Sequence, residues 1–300
     1  MTFPDILSAI EIGANSPDSF DGVCKSLELR IFKLNVKQLS AILMEIGSIP
    51  ESIAHDSTEE KLFAKTADIV LARCFQELGL HASVNKERAD CADVIAKSHF
   101  HEYSLIGDAK AFRLSRTAKN QKDFKVTSMA GWKGDREYAV LVCPYFQYPK
   151  KNSQIYAQAI EKNVCLFSWE HLRLLLQSKV RETLLLNLSA IWSMSEQLAG
   201  KVLANQMNKK DNFHRLGNEI ICKHLNLEPS SLKTQLIECK GAAVNRAERE
   251  IAFWTSHIEE VKKYTKEQAI AELLVALKTN EKISAIKEFI RKLPSDEKIW

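Results

Sequence analysis

Leu39, Ile42, Leu43 and Ile46 recur at i, i+3, i+4 and i+7, which puts one apolar stripe on a helix. Gly47 follows the last periodic residue and Pro50 lies three further on, so this helix ends there. A second helix opens at Ser57-Thr58-Glu59-Glu60, where Ser57 and Glu60 have capping-box spacing. It runs through Leu62, Phe63, Ala67, Ile69, Val70 and Phe75 and stops at Gly79. Beyond it the runs shorten into β-like pieces at 81–84, 92–96 and 103–106, the last leading into Asp108-Ala109-Lys110. Segment 112–130 is polar and reads as helical or irregular. Residues 138–143 form a short β-branched run stopped by Pro144, which predicts a buried strand. A helix at 153–161, a strand at 164–167 and a helix at 169–177 follow. From about residue 185 the pattern is helical throughout, with Ile251, Trp254, Ile258 and Val261, then Ile270, Leu273, Leu274 and Leu277. This order predicts an α/β protein: a mixed central sheet flanked by helices, with helical N- and C-terminal parts. The expected divisions are 1–56, 57–180 and 181–300, packed as one compact unit.

Composition narrows the class without choosing a function. The chain has 300 residues, 45% of them apolar and 27% charged, which suits an ordinary globular core. Its net charge of +4 is mild, so only the distribution of charge is informative. Seven scattered cysteines without a C-x-x-C argue for reduced thiols, and against a disulfide framework or a zinc site. The N-terminus has early acids and no basic segment ahead of a long apolar run, unlike a signal peptide. No stretch approaches the roughly 20 apolar residues that span a bilayer. The expectation is a cytoplasmic protein with no membrane partner.

The chemistry lies in three aspartates fifteen residues apart: Asp93, Asp108 and Asp123. The second and third each open an acid-x-lysine triplet, Asp108-Ala109-Lys110 and Asp123-Phe124-Lys125. Hydrolysing a phosphodiester with Mg²⁺ needs hard oxygen ligands and a positive group near the attacking water. Side chains alternate along a strand, so Asp108 and Lys110 share a face, and Asp93 on a neighbouring strand can meet them. The second triplet lies in the almost wholly polar stretch 119–125, which offers no strand. Asp93, Asp108, Lys110 and Glu60 are therefore the catalytic candidates, with Asp93 and Asp108 as metal ligands. Glu60 has two readings, a cap for its own helix or a carboxylate reaching a second metal or its waters.

Lys110, Arg113, Arg116, Lys119, Lys122 and Lys125 recur every third residue. An extended or irregular chain would align them into a positive strip suited to a phosphate backbone. Within it, Asn120 is suited to adenine and Lys122 to guanine O6/N7. The DNA-binding candidates are Arg113, Arg116, Ala118, Lys119, Asn120, Lys122, Asp123 and Lys125. His99-Phe100-His101 reads as a turn pair without a third ligand, and Trp169-Glu170-His171 as packing plus a solvated helix start. No phosphate-binding loop, dinucleotide glycine fingerprint or G-x-S-x-G occurs.

The run DAKAFRLSRTAKNQKDFK (108–125), with STEEKLF (57–63) and LFSWEHL (166–172), closely resembles the HindIII-type type II restriction endonucleases. The likeness is strongest over 57–176. It implies a PD-(D/E)xK nuclease fold, a homodimer on double-stranded DNA, and Mg²⁺-dependent cutting of both strands at a six-base palindrome, the family's A/AGCTT. Mn²⁺ is the expected substitute ion. It carries the metal acids to Asp93 and Asp108, the lysine to Lys110, and the base-reading loop to 118–123. A cognate DNA methyltransferase is expected in the host, with no direct contact implied. Ala92 stands where the motif has proline. Two alternatives remain open: a structure-specific or repair nuclease on the same fold, and a DNA-binding protein without catalysis.

Overall fold

The computed structural model describes residues 1–85, 91–116, 121–149, 153–200, 210–277, 282–284 and 286–288. Residues 1–248 and 249–300 form separate units. In the first, helices α1 (Phe3–Ala14), α2 (Phe20–Ile31) and α3 (Val36–Leu43) lead into the long α4 (Thr58–Glu77). The expected boundaries at 56 and 180 fall inside this unit. The reason is packing: Ile6, Ile10, Leu27 and Ile31 share one core with Phe63 of α4 and the sheet.

Helix α4 starts as half of the expected capping box. Ser57 Oγ accepts from Glu60 N (3.1 Å), but the Glu60 carboxylate reaches back to the Asp56 N–H (2.7 Å) rather than to the cap. It ends where Gly79 turns into the left-handed region at φ +92°, a conformation glycine adopts without steric cost.

The sheet has strands β1 (Leu80–Val84), β2 (Val94–Ser98), β3 (Ser104–Ala109), β4 (Tyr138–Cys143) and β5 (Val164–Ser168), side by side in that order. The first three are antiparallel and the last two run parallel to β3, so the sheet is mixed as the sequence predicts. Parallel neighbours need crossovers. Helices α5 (Gln121–Phe124) and α6 (Val126–Trp132) lie between β3 and β4, and α7 (Ile155–Glu161) lies between β4 and β5. Strands β4 and β5 are almost wholly buried, which explains their unbroken apolar runs. Helix α4 can lie close on β3 because Gly107 has no side chain. A Cβ there would come within 3.0 Å of Phe75 and 3.1 Å of Leu71.

Helix α8 (Trp169–Gln177) follows β5, then α9 (Ser189–Trp192), α10 (Met194–Ala199), α11 (Lys210–Leu225), α12 (Pro229–Val261) and α13 (Lys266–Ala276). Where the sequence suggests a solvated start to α8, the structure buries it. Trp169 and His171 are inside, and Glu170 accepts from Tyr145 N at 2.9 Å. The β2–β3 turn is anchored by buried Glu182, which accepts from Ser98 and Tyr103 hydroxyls and from Leu188 N. All seven cysteines are free thiols. Among the described residues, no helix is long and apolar enough to cross a membrane.

Candidate active site

Strands β2 and β3 pair antiparallel with Val94 opposite Gly107. One step further along each strand are Asp93 and Asp108, so the register brings the two acids together on the same face. Asp108 is only 1% exposed, and its Oδ2 is the ionic partner of Lys110 Nζ. Lys110 follows the last residue of β3 and is fixed through its backbone on both sides. Its N–H donates to the Val142 carbonyl (2.7 Å), and its carbonyl accepts from the Trp169 indole N–H (3.0 Å).

The next residues are tied to the loop before α4. Phe112 exchanges backbone hydrogen bonds with Gly47 and Ile49, and Ser115 donates twice to the buried Glu51 carboxylate. Gly47 is needed for this approach, since a Cβ there would lie 2.7 Å from Trp169 and 2.6 Å from Pro144.

Electrostatics follow from this burial. Desolvation pushes the Asp108 carboxyl up to about 6; Lys110 opposes the shift and the Asp93 charge adds to it. For Lys110, burial works against the ammonium, but Asp108 and then Asp93 outweigh it and hold its pKa above the usual lysine value. Lys110 is thus a permanent cation at neutral pH and not a proton acceptor.

Asp108 on β3 and Asp93 just before β2 supply hard oxygens, a donor set suited to a hard divalent cation. Their mutual repulsion is what a divalent cation would relieve. Between pH 4 and 6 the fold retains a proton on Asp108 that the unfolded chain gives up, so this group's contribution to stability falls as pH rises through that window. Cation binding should then release about one proton at pH 5 and almost none at pH 7.5, with affinity rising as pH passes 6. Calorimetry in buffers of different ionisation enthalpy reads this directly. Proton release that does not change with pH would contradict it.

The other candidates are placed differently. Glu60 Oε1 accepts from Arg113 Nη2 at 2.7 Å, and Arg113 Nη1 donates to the Pro50 carbonyl at 2.9 Å. Arg113 is therefore turned inward as a clamp rather than outward as part of a strip. Arg116 pairs with Asp123 (2.6 Å) and lies over the Phe112 ring. The triplet Asp123-Phe124-Lys125 is not on a strand: Asp123 and Phe124 belong to α5, Phe124 is buried, and Lys125 has φ +47°. Lys125 Nζ sits 5.4 Å from the Trp132 ring centroid. Lys122 and Lys125 border a cavity of about 480 Å³ with Gln121, Trp132 and Gln158. Ala118, Lys119 and Asn120 lie outside the described residues. The histidine turn is at the far end of the β2–β3 hairpin from the acids, where His101 Nε2 contacts the Thr183 carbonyl at 3.0 Å.

One acid escapes the pattern reading. Asp68 is buried on α4, and its carboxyl is pushed well above the ordinary range, first by burial and then by the Asp93 charge, against Lys65 at 3.7 Å. It lies eight residues beyond Glu60, about 12 Å along the helix at 1.5 Å per residue. Its signal was available: a lone acid inside the apolar run from Ala67 to Leu71.

A family model for the HindIII restriction endonuclease matches residues 6–290. The chain belongs to the HindIII restriction endonuclease family. It is 38% identical over 295 residues to the type II restriction enzyme HindIII of Haemophilus influenzae (strain Rd), covering 98% of this chain and 97% of that protein. The three resembling stretches meet around Lys110. STEEKLF supplies Glu60 for the Arg113 clamp, LFSWEHL supplies the Trp169 indole, and DAKAFR supplies Asp108, Lys110 and Arg113. The restriction-endonuclease-like sheet flanked by helices is what membership in this family leads one to expect.

Proposed function

We propose that this chain is a Mg²⁺-dependent type II restriction endonuclease that cuts both strands of the palindrome A/AGCTT as a homodimer. The observation that carries the reading is the facing pair Asp93 and Asp108 with the Lys110 ammonium held on Asp108, in a chain of the HindIII family. Asp93 and Asp108 would hold the ion, with Mn²⁺ as a substitute. When bound, Mg²⁺ supplies a Lewis acid for the phosphate and lowers the pKa of the attacking water. Lys110 keeps its proton and places a positive charge where negative charge grows on the phosphate oxygens. Val142 and Trp169 hold the Lys110 backbone so that this charge is fixed before substrate arrives. Burial and the Asp93 charge favour the protonated, neutral form of the Asp68 carboxyl.

Lys122 and Lys125 are suited to the phosphate backbone, and segment 118–123 to the bases. Arg113 holds the site's loop. A two-fold protein on a two-fold site accounts for cutting both strands. A cognate methyltransferase acting on the same palindrome would protect the host's DNA in the cytoplasm, and the reading implies no direct contact with this chain.

Supercoiled plasmid incubated with the protein tests the reading. Discrete linear fragments with Mg²⁺, and none with EDTA, are expected. A smear, or cutting confined to branched or mismatched DNA, would reject site-specific cleavage. Retardation of DNA without cleavage at any Mg²⁺ concentration would reject catalysis.

A further inference from the structure

Arg246 carries a buried guanidinium that the chemistry above does not use. It lies in the middle of α12, within the unit formed by residues 1–248, and is only 4% exposed. It pairs with the Glu45 carboxylate, and its Nη1 donates to the Ser48 carbonyl at 3.4 Å, 198 residues away in the chain. The guanidinium carbon also stands 5.2 Å from the centre of the Phe3 ring.

These contacts fall on the segment that supports the site's strand. Gly47, between Glu45 and Ser48, accepts through its carbonyl from Phe112 N at 3.1 Å, two residues past Lys110. Gly47 also packs on Trp169, where an added Cβ would lie 2.7 Å from the ring. That indole in turn donates to the Lys110 carbonyl at 3.0 Å. Gly47 therefore reaches Lys110 by two routes, through Phe112 and through Trp169.

Stability alone does not call for a guanidinium here. Apolar side chains of similar volume usually serve a buried position as well as an ion pair or better. What the guanidinium adds is direction, because its planar fork holds a carboxylate and a carbonyl at set angles. It applies that hold on either side of Gly47.

We infer that Arg246 is a positioning residue for cleavage: by fixing Glu45 and Ser48 it sets Gly47, and through Gly47 the Lys110 backbone. This rests on the cleavage reading above and extends the machinery of that site to α12.

Single-turnover cleavage of duplex DNA by the full chain, at saturating DNA and Mg²⁺, is the test. Arg246→Met keeps the length of the side chain and removes the fork, and Glu45, 26% exposed, is left to water. The rate is expected to fall about tenfold, less than the roughly 100-fold that a misplacement of about 1 Å costs. DNA affinity without metal should stay within about twofold. The deciding arm repeats the change in Lys110→Ala protein. There Arg246 has no lysine left to position, and the further loss should be under about twofold, the non-additivity of residues that act as a unit. An arginine that merely supports the fold would give the same loss in both backgrounds, and that result overturns the assignment. So does Arg246→Met cutting within about twofold of the wild-type rate. If Arg246→Met loses its melting transition, Arg246→Lys keeps the charge near Glu45, loses the fork, and is judged by the same two criteria, with about a threefold loss expected. A wild type that cuts no DNA overturns the cleavage reading itself, whereas an active wild type with additive variants overturns only the role given to Arg246.

Discussion

Asp108→Asn is expected to lower the rate of DNA cleavage by at least about 10³-fold while DNA binding survives, because it removes a ligand charge the reaction needs. The change is close to isosteric, and it removes a buried charge whose pKa is already raised by desolvation, so the fold should hold. The Lys110 ammonium loses its ionic partner but keeps the field of Asp93. Taking away a negative charge that faces the phosphates should leave affinity equal or higher. Single-turnover cleavage with Mg²⁺, beside gel retardation with EDTA, separates the two effects. Cleavage above a tenth of the wild-type rate would remove Asp108 from the site.

The two acid-x-lysine triplets should part company when their lysines are removed. Lys110→Ala is expected to lower the cleavage rate about 10² to 10³-fold at saturating DNA, the usual loss when one preorganised charge is removed from a reacting oxygen. It also leaves Asp108 buried without its cation, which costs about 3 kcal/mol. The rate is therefore read on protein whose melting transition is intact. Lys125→Ala should leave the saturated rate alone, weaken binding, and reduce the salt slope by about one ion. The contrast follows from the backbone: Lys110 prolongs a strand beside Asp93, whereas Lys125 follows a short helix and faces Trp132. Equal losses of rate for the two variants would mean that the triplets had been assigned to the wrong roles.

The sheet was legible because its period is short and its ends are punctuated. The apolar run at 138–143 stops at Pro144, and the structure ends β4 at Cys143. The pairing of Asp108 with Lys110 was legible for the same reason, since residues two apart on a strand share a face. The strip of cations was not. A spacing of three says where charges fall along the chain but nothing about what each side chain meets. Arg113 meets Glu60 fifty-three residues away, and Arg116 meets Asp123 on α5. Glu60 shows the same limit. Its capping spacing was right, its carboxylate meets the Asp56 N–H and Arg113, and Asp68 is the helix acid whose carboxyl feels the Asp93 and Asp108 charges. The Trp169 bond to Lys110 was hidden as well, because it spans 59 residues and joins a side chain to a backbone atom.

The central claim is that this site cuts DNA at one sequence, and sequencing the ends of fragments from a single mapped plasmid tests it most directly. The account predicts that every end produced with Mg²⁺ falls within AAGCTT, between the two adenines on each strand, and that Asp108→Asn yields these ends at least about 10³-fold more slowly. Ends scattered over unrelated sequences, or the same ends made by the Asp108→Asn protein at more than a tenth of the wild-type rate, would contradict it.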